Sequence, residues 1–122
     1  MRKLILVVED DPDLRETLLE VLEDEGFEVS IAANGREALD ILETRRGAAL
    51  VLLDLVMPDM DGLEFLRRQL QSPALSSVPV VILTGDSKGQ NEARTMGFAH
   101  ALAKPFREED LLRLVFDYCR PN

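Results

Sequence analysis

The sequence predicts an α/β fold, a five-stranded parallel sheet wound on both faces by five helices. Three observations predict it. Five short apolar runs alternate with segments of helical spacing. The strongest runs are almost continuously Val, Ile and Leu, which suits strands covered on both faces. The resulting order, βαβαβαβαβα, requires parallel strands joined by right-handed crossovers. A chain of 122 residues, 46% of them apolar, suits one ordered domain over residues 1–122. That length buries a core without disulfides or a structural metal.

The first run is Leu4–Val8. Asp11 and Pro12 then read as N-cap and first helical residue. Leu14, Leu18, Val21 and Leu22 form an apolar stripe that should stop at Gly26. The second run, Glu28–Ala32, is weaker. Asn34 and Glu37 have capping-box spacing ahead of the stripe Ala38, Ile41 and Leu42. The third run is Ala49–Leu53. Asp61 and Glu64 repeat the capping spacing, and Leu63, Leu66 and Leu70 form the next stripe. The fourth run is Val78–Leu83. Ser87 and Gln90 open the least apolar helix, Ser87–Met96, which has Gly89 in its first turn and Gly97 at its stop. Its main apolar residues are Ala93 and Met96, so it should be the least stable element. The short fifth run is Ala101–Ala103. Leu111, Leu112 and Val115, with Tyr118 one turn on, make the last stripe. The flavodoxin-like strand order 2-1-3-4-5 suits this length.

The net charge of −9 repels phosphate backbones, which argues against nucleic-acid binding by this chain. The single cysteine, Cys119, cannot form an internal disulfide and is too isolated for a metal site. The opening apolar stretch is interrupted by Glu9 and is too short for a signal peptide. No run approaches membrane-spanning length. A cytoplasmic protein without a membrane partner is expected.

In a doubly wound sheet, ligands bind beyond the carboxyl ends of the strands, near the point where strand order reverses. Glu9, Asp10 and Asp11 follow the first run. Asp54 follows the third, Thr84 and Gly85 the fourth, and Lys104 and Pro105 the fifth. The second ends blandly in Ala32 and Ala33. Strands 1 and 3 would be neighbours, which places Asp10 close to Asp54 with Glu9 nearby. Two carboxylates about 4 Å apart repel by about 4 kcal/mol at an effective dielectric of about 20. A proton relieves that repulsion by raising one pKa. A divalent cation relieves it without protonation, and an all-oxygen, partly hydrated site suits Mg²⁺.

Lys104 supplies a movable cation, Thr84 a hydroxyl donor, and Asp54 a carboxylate placed to attack. Together they form a toolkit for phosphoryl transfer, which is mainly positioning and charge stabilisation. Carboxylate nucleophiles can form aspartyl-phosphate. Each residue also has a plainer reading. Asp11 and Asp61 are caps, Asp10 and Asp54 could be turn residues, Thr84 a backbone-bonded hydroxyl and Lys104 a solvated lysine. Their joint placement at neighbouring strand ends is what argues for a site.

Those residues resemble the receiver domain of two-component response regulators. Leu6-Val7-Val8-Glu9-Asp10-Asp11 is similar to that family's first strand and acidic pair. The stretch from Asp54 through Met57-Pro58-Asp59 to Asp61-Gly62 resembles its phosphoacceptor loop. Leu83-Thr84-Gly85 and Lys104-Pro105-Phe106 resemble its other two signatures, and the intervals of 44, 30 and 20 residues between Asp10, Asp54, Thr84 and Lys104 are also the family's.

The resemblance implies a role for each residue. Asp54 would accept a phosphoryl group from a phosphohistidine on a sensor histidine kinase or histidine phosphotransfer protein. Asp10 and Asp54 would bind Mg²⁺ directly, Glu9 through water, and Val56 through its backbone carbonyl. Lys104 and Thr84 would meet phosphoryl oxygens. Phosphorylation would bias the surface of helix 4, strand 5 and helix 5 and so regulate a partner or output. The chain would catalyse only its own phosphorylation and dephosphorylation. The resemblance also implies a cis bond at Lys104-Pro105.

Two features depart from the family pattern. Ala101 occupies the position of a usual aromatic switch, and His100 beside it reads as a strand-start residue. The segment 97–100 lacks an acidic pair typical of one dimerising subfamily. A phosphorylation-independent interaction module is the second reading, but no acid, acceptor or lysine is lost. An aspartyl-nucleophile phosphatase is the third. Such enzymes commonly carry a second acid two residues after the nucleophile, where this chain has Val56.

Overall fold

The structure is a computed structural model that describes residues 2–45, 47–55, 62–85, 87–98 and 100–120. Strands and helices alternate as β1 (Leu4–Val8), α1 (Pro12–Asp24), β2 (Glu28–Ala32), α2 (Gly35–Thr44) and β3 (Ala48–Asp54). They continue as α3 (Gly62–Gln71), β4 (Val80–Thr84), α4 (Ser87–Thr95), β5 (Ala101–Ala103) and α5 (Glu108–Tyr118). Every strand pair is parallel, and the order is β2-β1-β3-β4-β5. This is the predicted doubly wound sheet.

The unbroken apolar runs become the central strands because both of their faces are covered. All five residues of β1 and of β4 are buried. Ile5, Val7, Leu50, Leu52, Val81 and Leu83 pack on one face with Leu18 and Leu22 of α1 and Leu111 and Val115 of α5. Leu6, Val8, Val51, Leu53 and Ile82 pack on the other with residues of α2, α3 and α4. Full burial of each large aliphatic side chain contributes about 1.5–3 kcal/mol. The weaker runs, β2 and β5, are the sheet edges, where less apolar surface needs cover.

Two strands differ from the predicted runs at both ends: β3 spans Ala48–Asp54 rather than Ala49–Leu53, and β4 spans Val80–Thr84 rather than Val78–Leu83. β3 reaches Asp54, which pairs with Leu83, so the acid belongs to the strand itself. β4 begins at Val80 because the Val78 N–H turns back to the Leu75 carbonyl and Pro79 has no N–H to offer the ladder.

The helix signals act as expected at several ends. The Asp11 side chain accepts from the Asp13 N–H, and Pro12 opens α1. Asn34 accepts from the Glu37 N–H, while the Glu37 carboxylate bonds the Ala33 N–H, one residue before the usual box partner. Gly26 and Gly97 have φ of 95° and 99°. Both close Schellman motifs, in which Phe27 N–H reaches Leu22 O and Phe98 N–H reaches Ala93 O. The predicted Asp61 cap lies outside the described residues. α4 already includes Ser87, so Ser87 is its first helical residue rather than the cap that the Ser87–Gln90 spacing predicts.

The stripe assigned to α3 needs correction. Leu66 is buried, but Leu70 is 45% exposed. Gly62, Phe65, Leu66 and Gln69 face inward instead, at i, i+3, i+4 and i+7. Buried Gln69 stays inside because its Nε2 donates to the carbonyls of Leu75 and Val78, both at 3.0 Å. It thereby ties down the turn before β4. Its Oε1 has no hydrogen-bond partner among the described residues.

Gly62 connects this helix to the end of β3. Its N–H donates to the Leu55 carbonyl at 3.0 Å. A Cβ at this position would lie 2.5 Å from the Asp54 carbonyl oxygen and 2.6 Å from the Leu55 Cα. Those are backbone atoms and cannot swing aside. Gly62→Ala should therefore cost about 1–3 kcal/mol of stability in urea unfolding. An unchanged midpoint would show that the backbone yields freely there.

Candidate functional site

Parallel pairing brings the polar residues after β1, β3, β4 and β5 to one edge of the sheet. Val8 lies opposite Leu53, Asp54 opposite Leu83, and Thr84 opposite Ala103. The ladder continues one residue further at two places. The Glu9 N–H donates to Ala32 O, and the Lys104 N–H donates to Thr84 O, both at 3.0 Å. Glu9, Asp54, Thr84 and Lys104 therefore leave backbone that the sheet holds, while Asp10 lies one residue beyond it.

Glu9, Asp10 and Asp54 each offer a carboxylate oxygen within 4.8 Å of the others. Glu9 and Asp54 are buried, whereas Asp10 is exposed. Like charges this close need compensation. Lys104 supplies it. Its Nζ lies 2.6 Å from Glu9 Oε1 and 3.5 Å from Asp54 Oδ2. The lysine thus sits closest to Glu9, a partner that the strand-end reasoning did not give it. Burial works against the ammonium charge, but the bond to Glu9 and the charges of Asp54 and Glu9 outweigh it and raise its pKa.

Glu9 is bonded through both its side chain and its backbone. Its Oε2 accepts from the Asp11 N–H at 3.2 Å, and its backbone carbonyl accepts from Arg15 Nη1 at 2.9 Å. Arg15 had no place in the sequence reading. The available signal was position alone, a long cation one turn inside the helix that follows the acids. Gly62 and Gln69 were also missed as supports, because their partners are distant backbone atoms that no local pattern reveals.

Thr84 is buried at the end of β4, one strand from Asp54. Val56 and its carbonyl lie outside the described residues. Lys104-Pro105 is a cis peptide, as the resemblance implied. Beside the acids an open pocket of about 380 Å³ is lined by Asp11, Leu14, Lys104, Pro105 and Phe106.

Other residues fall away from this edge. His100 precedes β5, at the opposite end from Lys104, and its ring meets Tyr118 edge-on at 5.3 Å. Ala101 is half-buried against the cluster beneath α4. Cys119 is buried, and burial pushes its thiol pKa up, outweighing the opposing charge of Lys3. An inert structural cysteine fits these surroundings.

The acids fit a hard divalent cation. Two oxygens bound to one Mg²⁺ lie at most about 4.2 Å apart, a spacing comparable to the 4.8 Å that bounds this cluster. The donor set is all oxygen, and exposed Asp10 leaves one side open to solvent. Zinc would be expected to recruit nitrogen or sulfur, and neither Cys119 nor His100 is near.

Comparison with known proteins gives the same picture. The family model for the response regulator receiver domain matches residues 5–116. A response regulator of Synechocystis is 38% identical over 116 residues, which cover 91% of this chain and 49% of that protein. The sporulation initiation phosphotransferase F of Bacillus subtilis is 37% identical, with 97% of this chain and 94% of that protein covered. The chain thus spans about half the length of several curated relatives and nearly all of others. Among solved structures, the receiver domain of a Pseudomonas aeruginosa sensor histidine kinase has a TM-score of 0.87 at 28% identity, covering 97% of this chain and 98% of that one. That structure holds a magnesium ion in its active-site cleft. The strand order, the acids at the strand ends and these matches agree on a phosphoryl-accepting switch, and the chain belongs to the response regulator receiver domain family.

Proposed function

We propose that Asp54 accepts a phosphoryl group from a phosphohistidine on a histidine kinase or histidine phosphotransfer protein, with Mg²⁺ held by Glu9, Asp10 and Asp54. The observation that carries this reading is the meeting of three carboxylates and Lys104 at one edge of the sheet. The family resemblance adds the Val56 carbonyl to the metal ligands. Relatives support the choice of partner. One is itself a phosphotransferase, and another is a peroxide stress-activated histidine kinase of Schizosaccharomyces pombe.

An oxygen of the Asp54 carboxylate attacks phosphorus in line while the phosphorus–nitrogen bond breaks and the departing imidazole takes up a proton. Mg²⁺ held by Glu9, Asp10 and Asp54 would supply charge neutralisation for the phosphoryl oxygens. Lys104, 3.5 Å from Asp54 Oδ2, neutralises negative charge on the same side. The Thr84 hydroxyl, at the end of the neighbouring strand, donates to a phosphoryl oxygen. The acyl phosphate is later hydrolysed at the same residue, so the chain acts on itself and turns over no separate substrate.

Phosphorylation adds nearly two negative charges and three acceptor oxygens. Thr84 and Lys104 respond, and they lie at the ends of β4 and β5, next to α4 and α5. α4 is the element best suited to change. Ala93 is its fully buried apolar side chain, and Gly89 weakens its first turn. With Ala101 in β5, the response passes through backbone and helix packing rather than a swinging ring. No helix among the described residues is long and apolar enough to cross a membrane, which is compatible with a cytoplasmic location.

Incubation with a small phosphodonor and Mg²⁺ should add the mass of one phosphoryl group. Asp54→Asn and addition of a chelator should each abolish the gain. Equal labelling of the Asn variant would remove Asp54 as acceptor, and labelling indifferent to chelator would remove the metal role. A second expectation concerns Lys104. Its pKa is raised on folding, so its contribution is complete below its ordinary value of 10.5 and is lost as pH rises through the higher folded value. In metal-free buffer the unfolding free energy of the wild type should fall more steeply above pH 10.5 than that of Lys104→Met. Parallel curves would show that the ammonium gains nothing on folding.

A further inference from the structure

We propose that Arg15 is a positioning residue for the acidic cluster, holding the peptide between Glu9 and Asp10 so that both carboxylates face Asp54. The inference rests on the metal-binding reading above and extends it to a residue outside the acid, threonine and lysine set.

Arg15 is the fourth residue of α1, and its N–H closes the first turn on the Asp11 carbonyl at 2.9 Å. Helical side chains lean toward the N-terminus of their helix. A long side chain at this position therefore points back at the turn where β1 becomes α1. Its Nη1 meets the Glu9 carbonyl at 2.9 Å in a partly buried setting. The N–H of the same residue is bonded to Ala32 O in the sheet. Residue 9 is thus gripped by β2 on one side and by Arg15 on the other. The plane of the peptide that carries the chain into Asp10 follows from that grip.

Asp10 needs this support more than its neighbours do. The Glu9 carboxylate is oriented by Lys104 and by the Asp11 N–H. The Asp10 carboxylate is exposed and has no hydrogen-bond or ion-pair partner among the described residues. With no such partner, its direction depends on how its backbone is held and on its rotamer. A guanidinium bonded to a carbonyl is a strong, charge-assisted way to hold that backbone.

The sign of the effect separates positioning from simple charge. As a bare positive charge, Arg15 would repel a divalent cation, so its removal would tighten Mg²⁺ binding. As a positioning group, its removal weakens binding despite the lost repulsion. Groups that orient metal ligands are typically worth about 10–100-fold in affinity.

The test uses the full chain as wild type, Arg15→Met and Arg15→Lys. Arg15→Met keeps much of the hydrocarbon stem, and Arg15→Lys keeps the charge and a donor. Mg²⁺ affinity is measured by calorimetry. Exchange of the Asp11 amide, bonded to Glu9 Oε2, is followed without metal, alongside the urea midpoint. Arg15→Met should bind Mg²⁺ about 10–100-fold more weakly, with Arg15→Lys between it and the wild type. The Asp11 amide should exchange faster while the urea midpoint moves little. Unchanged or tighter Mg²⁺ binding by Arg15→Met overturns the proposal. If the wild type itself binds no Mg²⁺, the metal reading fails separately. The exchange arm then decides the positioning role, and unchanged protection of the Asp11 amide overturns it.

Discussion

Negative charge crowded at the carboxyl ends of β1 and β3 is the constraint around which the rest of this molecule is arranged. Two of the three acids are buried, and their oxygens stand within 4.8 Å of each other. In a low-dielectric setting that repulsion cannot be left to solvent. Lys104 answers it from just beyond β5, with 26% of its side chain exposed against 1% for Glu9. The pair is unlike a surface salt bridge, whose two charges remain mostly hydrated and whose contribution is small. Removing Lys104 would strand the buried Glu9 charge, which is far more costly than losing an exposed pair.

Holding such a site requires stiffness where the acids are and compliance where the response occurs. Stiffness comes from the sheet. Glu9 and Lys104 are bonded one residue beyond their strands, and Asp54 lies within its own. Gly62 lets α3 approach the Asp54 backbone more closely than any side chain would allow. Compliance lies on the other side of the crevice. β5 has three residues, and α4 buries little apolar surface. Elements with few buried contacts open at low free energy, so the part of the fold that gains least from packing also borders Thr84 and Lys104.

The bonds around Glu9 explain how one residue can belong to both halves. Its backbone is fixed by β2 and Arg15, while its carboxylate is shared between Asp11 and Lys104. The Lys104 ammonium is thus tied, through the Glu9 carboxylate, to the turn that carries Asp10 and Asp11.

Much of this was legible in the chain. Unbroken Val, Ile and Leu runs specify strands covered on both faces, because an exposed face would need polar alternation. Asp11-Pro12, Asn34, Gly26 and Gly97 mark helix ends through local backbone chemistry, which needs no distant partner. Asp10, Asp54, Thr84 and Lys104 were readable as a set because strand order dictates which strand ends meet. Other features were not legible because they depend on atoms far apart in sequence. α3 buries Gln69 and exposes Leu70, since only the folded turn offers carbonyls to an amide. Lys104 prefers Glu9 to Asp54 because of side-chain reach across the crevice. Local patterning thus determined the elements, their order and which polar residues meet at the strand ends. Packing alone decided which carboxylate takes the lysine and which backbone atoms hold the acids, because those choices turn on ångström distances between segments that meet only after folding.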